Sequence, residues 1–155
     1  NPAMLRRIEA VPRKNGGEAR VLTAAKSDNT ATIGAARHTY SRLLRRGVRV
    51  FEYQPTKLHT KLFVVDDAVH IGSANFDMRS LYLNLELMLR VEDRAFADHM
   101  RGYFEGELAR SREVTREEHA KVGMVERARW SLAYFVVAVM DYGVTRRLNF
   151  GIDAE

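Results

Sequence analysis

The chain has 155 residues, 46% of them hydrophobic and 29% charged, an ordinary balance for one globular domain with a sizeable core. Lys and Arg exceed Asp and Glu by 25 to 20, a formal charge of +5, and the excess is concentrated in residues 1–50, a distribution that favours polyanions such as nucleic acid or anionic lipid. There is no cysteine, which excludes disulfides and thiolate metal sites.

The chain opens on Asn1-Pro2-Ala3 without an initiator Met, as expected of an excerpt from a longer protein. Asn1-Pro2 reads as an N-cap followed by Pro at the first helical position, starting a short helix with Leu5, Ile8 and Val11 on one side. Pro12 and Asn15-Gly16-Gly17 end it. Residues 19–24 form a short strand. Lys26-Ser27-Asp28-Asn29-Thr30 is a polar loop that caps the next helix. That helix runs to about Arg46, with Ile33, Ala36, Tyr40, Leu43 and Leu44 at helical spacing and Gly47 as its stop. Residues 48–53 form the next strand. Strand, helix and strand make one βαβ unit, so the two strands should be parallel with a right-handed crossover. Ser27 and Asp28 follow the C-terminal end of the first strand, where open α/β sheets bind ligands, and are candidate substrate contacts. Helix capping is their plainer role. Tyr53 and Pro55 stand before the next strand, where they wall a pocket or simply pack.

Next comes His59-Thr-Lys61-Leu-Phe-Val-Val-Asp66, expected to be a strand. Residues two apart on a strand share a face, so His59 and Lys61 should point one way and Leu58, Thr60 and Leu62 the other. Asp66, odd in spacing from Lys61, belongs to the turn at Asp66-Asp67. Gly72-Ser73-Ala-Asn75-Phe-Asp77-Met-Arg79-Ser80 follows, a loop of small polar donors. In residues 84–91 the alternation is clean, placing Asn84 and Glu86 on one face of a half-buried strand. An imidazole, a fixed cation and neutral donors suit attack on phosphorus. The imidazole can attack or protonate near neutral pH. Lys61, Ser73 and Asn75 are placed to hold non-bridging oxygens as charge develops. Glu86 is a candidate to accept the other ring N–H of His59 and fix its tautomer. No carboxylate cluster has metal-ligand spacing, so the expected chemistry uses no metal and no other cofactor. A lone His-x-Lys would ordinarily mean only a half-exposed strand. The combined pattern is far more specific.

Beyond the motif, Asp93 can cap a helix with Phe96, Met100, Tyr103, Phe104 and Leu108 inward. Residues 111–119 are highly charged and read as an exposed connection, within which Thr115 and Glu118 form a capping box. A domain boundary is expected near residue 112, giving a catalytic half-domain over 1–112 and a helical extension over 113–155. The extension carries an apolar run over residues 130–140, too short to span a bilayer, with Arg127 and Arg129 before it and Arg146-Arg147 after. It reads either as a helix packed on the domain or as an interfacial helix with an aromatic and basic rim.

The stretch from His59 to Glu86 resembles the HxKxxxxD…GSxN signature of the phospholipase D superfamily. It is most similar to the C-terminal motif of bacterial cardiolipin synthases. The resemblance implies an α/β fold with a mixed, largely parallel sheet, helices on both faces, and a further strand ahead of the first helix. It implies a phosphatidyltransferase or phosphodiesterase working through phosphohistidine, with the His of a second motif as general acid and base. His59 then becomes the nucleophile or the acid/base, Lys61 and Asn75 phosphate ligands, and Ser73 and Glu86 groups that orient the imidazole. Asp66 is structural. Ser27, Asp28, Tyr53 and Arg79 become candidate substrate contacts. Two features depart from the pattern. Five residues instead of six separate Asp66 from Gly72, implying a tighter hairpin. There is also one complete motif only, since His38, His70 and His99 lack a Lys two residues later, and His119-Ala-Lys121 is followed by Glu126 where the pattern has Asp. The second half is therefore expected from the same polypeptide or from dimerisation. The implied partners are an anionic phospholipid substrate and a membrane surface, met peripherally from the cytoplasmic face, with nucleic acid less favoured. The alternatives are a single-motif homodimeric endonuclease of the same superfamily, or a non-catalytic lipid- or nucleic-acid-binding module.

Overall fold

A computed structural model describes residues 2–14, 17–75 and 86–137. Arg79 and Asn84, and the apolar run beyond residue 137, lie outside them. The chain divides into two compact units: residues up to Leu58 together with those from Ser111 on, and His59–Arg110.

The first unit begins with helix α1 (Pro2–Ala10), which ends in a 3-10 turn at Val11–Arg13. Strand β1 (Arg20–Ala24), helix α2 (Thr30–Arg45) and strand β2 (Arg49–Tyr53) follow. β1 and β2 are parallel, from Arg20 opposite Arg49 to Ala24 opposite Tyr53, the expected βαβ unit. Asn29 caps α2 by accepting from the Ala31 amide at 3.0 Å. Gly47 ends it at φ +83, a left-handed value that glycine adopts without a Cβ clash.

The expected exposed connection after residue 110 is instead strand β6 (Ser111–Val114) and helix α4 (Arg116–Ala120). β6 runs antiparallel to β2, giving the order β1-β2-β6. Sequence patterning misses β6 because Val114 is its one apolar residue. Ion pairs hold much of the rest, Arg49 reaching Glu113 at 2.8 Å and Arg112 reaching Glu52 at 3.1 Å. The Thr115–Glu118 capping box is present at the start of α4.

Central strand β2 is buried from Val50 to Tyr53. Val50 packs with Tyr40 and Leu43 of α2, Val48 and Val114, and Leu5 and Ile8 of α1 close over this cluster. Glu52 lies in the same strand, only 2% exposed. Its carboxylate accepts from Arg37 Nε at 2.8 Å and Nη2 at 3.2 Å, from Arg112 Nη2 at 3.1 Å and from Tyr40 Oη at 3.3 Å. Burial pushes the Glu52 carboxyl up, but the two guanidiniums outweigh it and hold it below the usual carboxylate range.

Helix α5 (Met124–Phe135) lies along α2. A Cβ on Gly34 would come within 2.9 Å of the Ala133 Cβ, so α2 needs glycine where the helices approach. His38 stacks on Tyr134 at 4.6 Å, and buried His119 stacks on Trp130 at 5.5 Å. The described part of the apolar tail is thus a helix packed along one face, while Leu132 and Phe135 stay exposed, 64% and 50%. Among the described residues no helix is long and apolar enough to cross a membrane.

The second unit holds strands β3 (Leu62–Val65), β4 (Ala68–Gly72) and β5 (Met88–Glu92), all antiparallel, and helix α3 (Arg94–Leu108). The α/β class holds. Among the described residues, however, the strands form two three-stranded sheets with a single parallel pair, where one largely parallel sheet was expected. A two-residue turn between β3 and β4 leaves no room for the crossover that parallel pairing needs.

Replacing Glu52 with Gln should lower stability at neutral pH by roughly 1–3 kcal/mol, because Arg37 and Arg112 lose their counter-charge. Their own exposure, 31% and 54%, keeps the loss below that of a fully enclosed pair. A carboxylate whose folded pKa is lowered contributes fully above its ordinary value of 4.5 and loses that contribution as pH falls through the folded pKa. Urea unfolding at neutral and acidic pH should show the gap between wild type and Glu52→Gln closing as the pH falls below 4.5.

Candidate active site

The motif residues from His59 onward fall in the second unit. The turn at Asp66-Asp67 is the tight hairpin expected from the shortened spacer, with Val65 paired to Ala68 across it. Asp66 sits at φ +50, a left-handed value that aspartate tolerates better than most residues. Arg101 of α3 donates to the Asp66 carbonyl, pairs with Asp98, and lies 3.9 Å from the Asp67 carboxylate. Arg101 therefore clips the hairpin to α3. No local sequence signal marks this clip, because the contact spans 35 residues.

At the other end of the hairpin, β4 terminates at Gly72 against residues 86–88. A Cβ on Gly72 would lie 2.0 Å from the Leu87 carbonyl oxygen, so only glycine fits. The Ser73 amide donates to that carbonyl at 2.9 Å, and the Leu87 amide returns a bond to Ser73 Oγ at 3.0 Å. Ser73 Oγ in turn donates to Glu86 Oε2 at 2.5 Å. The Gly-Ser pair and the later Glu are thus one closed structure. Gly72 permits the approach, Ser73 exchanges bonds with Leu87, and Glu86 accepts the hydrogen bond of the serine hydroxyl. Ala74 is buried as an anchor, and Asn75 next to it is exposed.

His59 and Lys61 are not in a strand. β3 begins at Leu62, and the clean alternation over residues 84–91 yields strand only from Met88. Both corrections have one cause: β4 ends at Gly72, so neither neighbour has a ladder partner beyond it. One bond extends past the ladder, from the Gly72 amide to the Lys61 carbonyl at 3.3 Å. It sets Lys61 beside the Gly72-Ser73 corner. Lys61 Nζ donates to the His59 carbonyl at 2.7 Å, which folds the His59–Lys61 segment on itself. The His59 side chain is exposed. Between them, Thr60 Oγ1 lies 3.4 Å from Tyr103 Oη, and Tyr103 is 41% exposed, not inward as its helical spacing suggested. The structure therefore gathers Lys61, Ser73 and Glu86 around one corner, with His59 and Asn75 exposed close to them in sequence. These are a cation, a hydroxyl and a carboxylate, with an exposed imidazole two residues before the cation, groups suited to a phosphodiester.

Ser27, Asp28 and Tyr53 belong to the first unit. Ser27 Oγ accepts from the Asn29 amide at 3.1 Å and bridges to Thr32 Oγ1 at 3.4 Å, supporting the cap that Asn29 supplies. Asp28 pairs with Lys57 Nζ at 2.5 Å, and both are largely exposed. Lys57 was not singled out from sequence, since its partner is 29 residues away. Tyr53 is buried, 7% exposed. Arg79, the fourth candidate contact, lies outside the described residues. Among the described residues no group of three or more His, Asp or Glu is placed to hold a metal ion.

Residues 1–108 match the family model described as "Cardiolipin synthase, PLD-like domain". The chain is similar to cardiolipin synthase A of Pseudomonas putida, 35% identical over 126 residues that cover 81% of this chain and 26% of that protein. Similarity to cardiolipin synthase A of Pseudomonas entomophila is 41% over 104 residues, 66% of this chain and 22% of that one. The minor cardiolipin synthase ClsB of Bacillus subtilis is 36% identical over 129 residues, 80% of this chain and 32% of the relative. No solved structure matches the chain. The matches thus span between 22% and 32% of the length of these relatives.

Gly72→Ala should disrupt this corner. The obstructing atom is a backbone carbonyl that cannot rotate away, so the cost should reach or exceed the ~1–3 kcal/mol typical of overpacking. Thermal unfolding would measure the loss. Hydrogen exchange should show the Ser73 and Leu87 amides losing protection well before those of β1 and β2.

Proposed function

Because the chain belongs to the cardiolipin synthase family of phospholipase D-like domains, we propose that it is one of two active-site halves of a phosphatidyltransferase. The observation that carries this is the Gly72–Ser73–Glu86 corner with Lys61 held beside it, built from the residues that the family motif requires. In this reading the imidazole of His59 attacks the phosphorus of one phospholipid, or serves as acid and base for the equivalent His of the other half. In the first role an N–P bond forms and the P–O bond to the leaving alcohol breaks, the alcohol taking its proton from the second imidazole. The acceptor hydroxyl of another phospholipid then gives up its proton to that imidazole and attacks phosphorus, and the N–P bond breaks. Lys61 and Asn75 hold the non-bridging oxygens. Ser73 and Glu86 position the imidazole, and Asp66 shapes the hairpin. Ser27, Asp28, Tyr53 and Arg79 are candidate contacts to the substrate.

The length of the relatives supports a second motif elsewhere in the same polypeptide rather than in a dimer partner. Within the complete enzyme, β1 and β2 would belong to a larger, largely parallel sheet with helices on both faces. The enzyme would work peripherally at the cytoplasmic face of a membrane, where its phospholipid substrates lie.

The 155-residue chain alone should show little or no transfer, because one imidazole cannot be phosphorylated and protonate the leaving group at once. Losing general acid–base help typically costs ~10²–10⁴-fold. Full turnover by demonstrably monomeric chain would sink the half-site reading. In the complete enzyme, His59→Ala should abolish product formation from labelled phosphatidylglycerol. Chelation with EDTA should leave the rate unchanged, because the phosphate charge is met by Lys61 and neutral donors. Recovery of a lost rate on adding Mg²⁺ or Zn²⁺ would show that the chemistry is metal-assisted.

A further inference from the structure

Several cations of the first unit have an acidic partner. Arg37 and Arg112 take Glu52, Arg49 takes Glu113, and Lys57 takes Asp28. Six do not. Arg6, Arg7, Arg13, Lys14, Arg45 and Arg46 are all exposed and have no ion pair among the described residues. They are concentrated on α1, the turn after it and the C-terminal end of α2. Two contacts bring these elements together. Arg42 of α2 reaches Glu9 of α1, with Nη2 2.9 Å from Oε2. A Cβ built on Gly47 would touch the Cβ of Pro12 at 3.4 Å, which sets the turn bearing Arg13 against the end of α2.

At that end, Arg42, Arg45 and Arg46 line an open cleft of about 360 Å³. Arg42 is already held in place by the buried Glu9 carboxylate, yet its side chain remains 43% exposed. Cations in the last turn of a helix are also favoured by its dipole, which accounts for Arg42 and Arg45 singly. The dipole accounts in the same way for Arg7 in the last turn of α1, but not for Arg6 or Lys14, nor for the gathering of like charges without a counter-ion.

We propose that this arginine end is a docking surface for the headgroup phosphates of an anionic phospholipid bilayer, and that it contains none of the motif residues. The residues are mostly Arg, whose planar fork bonds phosphate oxygens in pairs. Val11 stands among them, 40% exposed, an apolar residue suited to the boundary between headgroup and acyl chain. The proposal rests on the phosphatidyltransferase reading only for choosing lipid as the source of phosphate.

The test is co-sedimentation of the 155-residue chain with vesicles of phosphatidylcholine alone and of equimolar phosphatidylcholine and phosphatidylglycerol. Wild type should bind the anionic vesicles and release as salt is raised. Arg45→Glu with Arg46→Glu should weaken that binding by at least roughly tenfold, since each cation near an anionic leaflet contributes measurably. The charge-matched control, Arg116→Glu with Lys121→Glu, should weaken it far less, and His59→Ala not at all. Arg45→Gln with Arg46→Gln, carrying no new acid, should give an intermediate loss, and thermal melts should confirm that each variant is folded. An equal loss in the control would mean that net charge alone binds, and would overturn the proposal. So would displacement of vesicles by millimolar inorganic phosphate, which marks a free-phosphate site, or by an oligonucleotide, which marks a nucleic-acid face. If the complete enzyme proves to have no phosphatidyl transfer while the vesicle results hold, the proposed function fails and the docking surface stands. In an active complete enzyme, the Arg45/Arg46 variant should keep kcat on detergent-dispersed substrate and raise the apparent KM on anionic vesicles.

Discussion

The first unit depends on the carboxylate of Glu52. A buried charge in a central strand is costly unless every lone pair is engaged, and here two guanidiniums and a phenol engage them. The three donors come from different places. Arg37 and Tyr40 lie on α2, and Arg112 lies on β6. One side chain therefore fixes the register of a helix over its sheet and of a strand that hydrophobic patterning would not have recruited. Tyr40 extends the network, because its hydroxyl also meets Thr23 of β1 at 2.6 Å. Every strand of the three-stranded sheet thus touches the same polar cluster. Burial and the neighbouring Glu52 carboxylate push the Tyr40 phenol above its ordinary pKa, against the opposing pull of Thr23 and Arg37, so it stays a neutral donor to Glu52. The hydrophobic contacts of Tyr40, Leu43 and Val50 give bulk stability, and the polar cluster gives this packing its specificity.

The second unit solves a different problem. Reactive side chains must stay accessible while the backbone under them stays fixed. Val69 and Ala74 are buried, whereas Ser73 and Asn75 are exposed. Alternation of anchor and functional group does this within a few residues. The bonds between Ser73 and Leu87 then take the place of ladder bonds that β4 and β5 no longer make beyond Gly72 and Met88. Serine is suited to this because its hydroxyl donates to Glu86 and accepts from Leu87 at once.

The sequence made the βαβ unit legible for a physical reason. Its signals are local: helical spacing from Ile33 to Leu44, a cap at Asn29 and a glycine stop at Gly47. What it hid is non-local. β6 carries one apolar residue, and its place depends on arginines paired across the sheet. The segment at His59 has strand-like composition, yet a strand exists only where a partner runs beside it. The residue types of the site were legible because the motif fixes their spacing. The function of Gly72 was not, since the carbonyl it must avoid lies 15 residues on, and neither was the clip from Arg101. The apolar tail was open to two readings because composition alone cannot distinguish a packed helix from an interfacial one. The close approach of Gly34 and Ala133 packs one face of its described part, and Leu132 and Phe135 stay exposed.

Exposure itself argues for a divided site. Replacing water around a phosphate with fixed dipoles requires walls on several sides. The corner at Ser73 presents its groups outward, and the His59 imidazole stands in solvent. Phosphoryl transfer through a histidine needs a second proton donor opposite the first. In the proposed half-site reading, a second motif would supply both that acid and part of the enclosure. The same side chains that look unfinished in one half are what a half must expose if two halves are to share a phosphate.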